Sequence, residues 1–98
     1  MSERSTLHWV MGRADHQVAL QQCLQQAAAD DSILLLGEAV LMVLQPAFEK
    51  CQRQRHIHVC AQHWQQLTTA AEPTHVELLT WAQILALIKQ HPLQQTWV

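Results

Sequence analysis

At 98 residues the chain has room for one domain with a single modest core, which excludes a separate catalytic domain. Apolar residues make up 49% of it and charged residues only 14%, and glutamines are numerous, so much of the surface is polar without being ionised, as suits a subunit partly covered by partners. The formal net charge of -2, relieved only by a short basic patch at Lys50, Arg53 and Arg55, argues against direct nucleic-acid binding.

Taken in chain order, "TLHWVM" over Thr6–Met11 reads as a first strand ending near Gly12. Asp15 offers an N-cap, and "HQVALQQCLQQAAA" contains no glycine or proline and is rich in helix formers, which predicts a first helix from about Asp15 to Ala29. The acidic pair Asp30 and Asp31 marks a turn, and the continuous aliphatic run Ser32–Leu36 has the character of a central strand buried on both faces. Gly37 and Glu38 break that strand, and Ala39–Leu44 begins a helix that Pro46 stops or kinks.

"RHIHVC" alternates, with Ile57 and Val59 on one face and His56, His58 and Cys60 on the other, giving a third strand. A short helix over "AQHWQQLTTAA" and a fourth strand at "HVELL" follow on either side of Pro73. From the N-cap candidate Thr80, Trp81, Ile84, Leu85 and Ile88 recur at i, i+3, i+4 and i+7, the pattern of an amphipathic helix closed by Pro92. "QQTWV" then forms a last short strand whose Trp97 needs somewhere to dock. The sum is an α/β domain over residues 1–98: a small three-layer structure with a mostly parallel sheet of four to five short strands flanked by helices.

Three scattered cysteines and a start, "MSERSTLHW", without a basic and then apolar leader fit a reduced cytoplasmic protein. The longest aliphatic stretch is interrupted by Gly37 and Glu38 and falls short of the roughly 20 residues that cross a bilayer, so no membrane association is expected.

Few residues carry chemistry. At about 100° per helical residue, with Leu20 at zero, Leu24, Ala27 and Ala28 fall at about 40°, 340° and 80° and Cys23 at about 300°, on the rim of the apolar stripe. A rim thiol is reachable, yet no lysine or arginine lies one turn away to favour its thiolate; a small packed cysteine is the competing reading. His56, His58 and Cys60, with His63 beyond them, are ligand types that suit zinc or copper. Same-face strand neighbours lie about 7 Å apart, however, which favours a polar face at solvent or at a subunit interface. Glu38 is a candidate for polar contact at a strand's carboxyl end. Only Gly12 and Gly37 are glycines, too few for a phosphate-cradling loop, and no cofactor is expected. Trp9, Trp64, Trp81 and Trp97 together favour an interface-rich subunit.

In order and spacing, "TLHWVMGR", "ALQQCLQQAAADDSILLLGEAV", "RHIHVCAQHWQQL" and a helix leading into "QQTWV" resemble the DsrH/TusB family over nearly the whole chain. The resemblance implies a small cytoplasmic protein of the DsrE-like α/β fold. It implies two partner subunits of the same fold, one TusC/DsrF-like and one TusD/DsrE-like, in a hexamer with two copies of each. Such complexes relay sulfane sulfur as cysteine persulfide, for 2-thiolation of the tRNA wobble uridine in the TusBCD branch and for dissimilatory sulfur oxidation in the DsrEFH branch. Their principal sulfur-carrying cysteine belongs to a partner subunit. A helix-one cysteine recurs in the DsrH branch, and Cys23 is the position that matches it, whereas TusB members often lack it. Family members commonly place an acidic residue and then glycine after the aliphatic strand, where this chain has Gly37-Glu38-Ala39; Cys51 and Cys60 match no family motif.

The expectation is therefore a non-catalytic or weakly sulfur-accepting subunit of a sulfur-relay complex serving tRNA thiolation. Its alternatives are a DsrH-type acceptor through Cys23, and a metal-binding module on His56, His58 and Cys60.

Overall fold

The structure, a computed structural model, describes residues 5–11, 18–45, 48, 56–71 and 76–98. Strands β1 (Thr6–Met11), β2 (Ser32–Leu36), β3 (His56–Cys60), β4 (Glu77–Leu79) and β5 (Leu93–Trp97) form one sheet in the order β4-β3-β2-β1-β5, and every pairing in it is parallel. Between them lie α1 (Val18–Gln26), a 3-10 helix η1 (Gly37–Leu44), α2 (Ala61–Leu67) and α3 (Trp81–Gln90).

Burial explains why β2 lies in the middle. All five of its residues are buried, as an uninterrupted aliphatic run requires when both faces of a strand are covered. Ile33 and Leu35 point into a core with Val10, Ile57 and Val59, filled from above by Ala19, Leu20 and Cys23 of α1, Ala39, Val40 and Met42 of η1, and Trp64 of α2. Leu34 and Leu36 point the other way, into a core with Leu7, Cys60 and Leu79 under Ile84 and Leu87 of α3. Each fully buried leucine adds about 2 kcal/mol of transfer free energy.

The two faces are unequally covered. From β1 to β4 the chain steps in one direction across the sheet, and a reversal then carries it from β4 to the far side of β1. Right-handed crossovers place the helices of opposite steps on opposite faces. Hence, among the described elements, α1, η1 and α2 share one face and α3 crosses the other. Among the described residues no helix is long and apolar enough to cross a membrane.

Local chemistry sets the ends of the elements. Thr80 caps α3 by accepting from the Gln83 N–H while the Gln83 side chain accepts from the Thr80 N–H, a reciprocal capping box. Gly37 has φ +58°, in the left-handed region, and this lets β2 turn directly into η1. Helix α1 stops at Gln26, short of the expected Ala29, because Ala28 turns its N–H to the Asp31 carboxylate instead. Its expected start near Asp15 lies outside the described residues, as does Pro46. The fourth strand is also shorter than "HVELL", at Glu77–Leu79.

One expectation needs correction. The stripe Trp81, Ile84, Leu85 and Ile88 does not dock as a unit: α3 buries Ile84 and Leu87, holds Ile88 half-buried, and leaves Trp81 45% and Leu85 60% exposed. The apolar arc of α3 is wider than a single face, and this sheet covers only one side of it.

Candidate functional site

At the carboxyl ends of β2, β3 and β4 the chain gathers Gly37, Glu38, Gln62, His63 and Trp81. The Gly37 N–H donates to His63 Nδ1 at 2.8 Å, so the proton of the neutral ring sits on Nε2. The His63 ring meets Trp81 edge to face, with centroids 5.6 Å apart, and the Trp81 indole N–H donates to the Gln62 side-chain oxygen. Glu38 stands exposed beside this cluster, where the sequence placed a polar candidate. The arrangement joins three strand ends through hydrogen bonds and ring packing.

Cys23 is not on a rim. It is fully buried in the larger core, at the middle of an arc running from Ala19 to Leu20. The angular reading misplaced the centre of the stripe because it counted Ala28, which lies past the end of the helix, and omitted Ala19, which is buried. A persulfide acceptor has to reach a donor's outer sulfur, and this thiol is shielded by the sheet and by α1 itself. Cys60 is equally buried, against Leu79 and Ile84. Cys51 lies outside the described residues. In a Cys51→Ser chain, Ellman's reagent is therefore expected to titrate neither remaining thiol within minutes in native buffer and both in strong denaturant; rapid native reaction at Cys23 would reverse the assignment.

The other expected ligand set is not brought together. His56 is exposed, His58 half-buried and Cys60 buried, and no group of three or more His, Cys, Asp or Glu among the described residues could hold a metal ion. His58 instead pairs in register with Glu77 and lines a shallow cleft of about 330 Å³ between β4 and α3, with Gln83 and Gln90 on its helical side. Its Nδ1 is buried with no hydrogen-bond partner. Burial lowers the His58 pKa below the usual imidazole value, and His56 and His91 push the same way against Glu77, so the ring is held neutral.

A polar network that sequence reasoning missed closes the amino end of the sheet. One Asp31 oxygen accepts from the Thr6 N–H at 2.8 Å, and the other lies 2.9 Å from the Ala28 N–H and 2.9 Å from His8 Nε2. The Trp97 indole N–H donates to His8 Nδ1 at 3.0 Å, which leaves Nε2 as the ring's donor to the carboxylate. Trp97 thus finds its dock on His8, and the Asp31 side chain does more than shape a turn. Nearby, His91 Nδ1 and Ser5 Oγ are 2.9 Å apart, and both residues are buried.

On the face crossed by α3, the residues beyond that helix stay open. Trp9 of β1 is half-buried and bonds the Gln94 side chain through its indole N–H, and Met11 is 44% exposed. With Trp81 and Leu85 they give this face large apolar side chains in contact with solvent. No protein-family model matches the chain, and no curated protein matches it either.

Proposed function

We propose that this chain is a non-catalytic subunit of a cytoplasmic sulfur-relay complex of the DsrH/TusB type, bound to one TusC/DsrF-like and one TusD/DsrE-like partner in a hexamer with two copies of each. The observation that carries the reading is the pairing of two features. The face crossed by α3 keeps Trp81 and Leu85 of that helix and Met11 of β1 exposed, while both described thiols are sealed in the cores. Such a chain is built to associate and to leave the sulfur chemistry to others. In the relay, a partner's thiolate attacks the outer sulfur of a donor persulfide, the sulfur-sulfur bond breaks, and the donor leaves as thiolate. This subunit positions that partner, and the sulfur proceeds to the 2-position of the tRNA wobble uridine. The resemblance in sequence order supports the family, and the parallel α/β fold is compatible with it.

Tagged protein purified from its native host is expected to bring down both partners in equal amounts. Deleting its gene is expected to abolish wobble 2-thiouridine, with Cys23→Ser restoring it as well as the wild type does. Elution without DsrE-like partners, or undiminished thiouridine after deletion, would refute the proposal.

A further inference from the structure

The two edges of the sheet are finished differently. At one edge, β4 has only three residues and carries the exposed carboxylate of Glu77, both features that discourage another strand from pairing. At the other, β5 has five residues, Leu93–Trp97, with no charge and no proline among them. Leu93, Gln94, Gln95 and Thr96 are all exposed, and no described strand pairs with the outer side. An uncharged edge that no described strand pairs is a template for strand addition.

The strand's own pattern identifies its partner. In an antiparallel pair, residues directly opposite lie on the same face. A two-fold axis through Gln95 sets Leu93 against Trp97 of the second copy on one face, Gln94 against Thr96 on the other, and Gln95 against itself. Each of these pairs is compatible: an aliphatic residue with an aromatic, an amide with a hydroxyl, and an amide with an amide. The Gln94 side-chain oxygen already accepts from the Trp9 indole, and its NH₂ remains to donate to the Thr96 hydroxyl across the seam. Leu93, 47% exposed in the single chain, gains an apolar neighbour. Symmetry demands this self-matching of an isologous contact, and the absence of charge on β5 means that two copies meet without repulsion.

We propose that β5 is the seam of a two-fold dimer of this chain, in which two five-stranded sheets join antiparallel through Leu93–Trp97 into one continuous sheet. The inference stands on the strand pattern alone and goes beyond the sulfur-relay reading; co-purification tests that reading separately.

Sedimentation equilibrium of the full chain is expected to give twice the 11.2 kDa chain mass. Gln95→Lys sets two ammonium groups face to face at the axis and Gln95→Glu two carboxylates, and each is expected to weaken self-association about tenfold or more. Mixing the two variants places lysine against glutamate and is expected to restore the dimer. A chain that is monomeric at every concentration, as when β5 serves another protein, overturns the proposal. So does a dimer indifferent to both substitutions, as when the apolar face beside α3 is the contact, and so does a failure of the mixture to recover.

Discussion

Replacing Asp31 by alanine is expected to cost the fold about 3 kcal/mol, a large share of the roughly 5 to 15 kcal/mol that holds a domain of this kind together. Asp31 is 5% exposed, and its carboxylate collects the N–H of Thr6, the N–H of Ala28 and the Nε2–H of His8. Alanine leaves three inward-facing donors unmatched, at the entry to β1, the exit of α1 and the ring beneath Trp97. The pH dependence follows from the same geometry. Burial raises the Asp31 pKa, but the bonds from Thr6, His8 and Ala28 together outweigh it, so the folded value lies below the ordinary 3.8. A carboxyl whose pKa is depressed on folding stabilises fully above its unfolded value and loses that contribution as pH falls through the folded one. Urea titrations of the wild type are therefore expected to show stability declining as pH drops below about 4, and Asp31→Ala to be less stable at neutral pH and flatter in that acidic range. A loss under about 1 kcal/mol at neutral pH would mean that the network is ornamental.

On the proposed relay reading, Leu85→Asp is expected to release the partner subunits while leaving the isolated chain as stable as before. Leu85 is 60% exposed on α3 beside Trp81, so a carboxylate there costs the monomer little, within about 0.5 kcal/mol. In a complex covering this face, the same group would be desolvated without a counter-charge, and retention of both DsrE-like subunits should fall at least about tenfold. Ile84→Asp, one residue earlier and 1% exposed, is the contrasting case, because it disrupts the core and unfolds the chain. Unchanged retention by Leu85→Asp, measured by pull-down against wild type, would move the interface elsewhere.

Much of the fold was legible because its determinants are local. The run Ser32–Leu36 announced a doubly buried strand, the alternation of His56–Cys60 separated two faces, and Thr80 announced the start of α3. What escaped is non-local. Asp31 looked like turn chemistry because its decisive partners, Thr6 and His8, are 25 and 23 residues away, and Trp97 meets His8 across 89 residues. Cys23 was misplaced by one edge of a helix, since helical periodicity gives angles but not where the sheet lies beneath them. The same limit hid the division of α3, whose apolar arc exceeds what one face of this sheet covers.

The strand order also governs assembly in time. β1 needs β2 on one side and β5 on the other, and β5 follows every other described element along the chain. On a ribosome, β1 through β4 can zip together as they emerge, but β1 remains a raw edge until the final strand is free to dock. That closure spans nearly the whole chain, the kind of long-range contact that slows folding and prolongs exposure to aggregation. Trp97 acts as the latch on that late step. Its indole reaches His8 only once β5 is seated, so the ring that completes the Asp31 network also records that the sheet has closed.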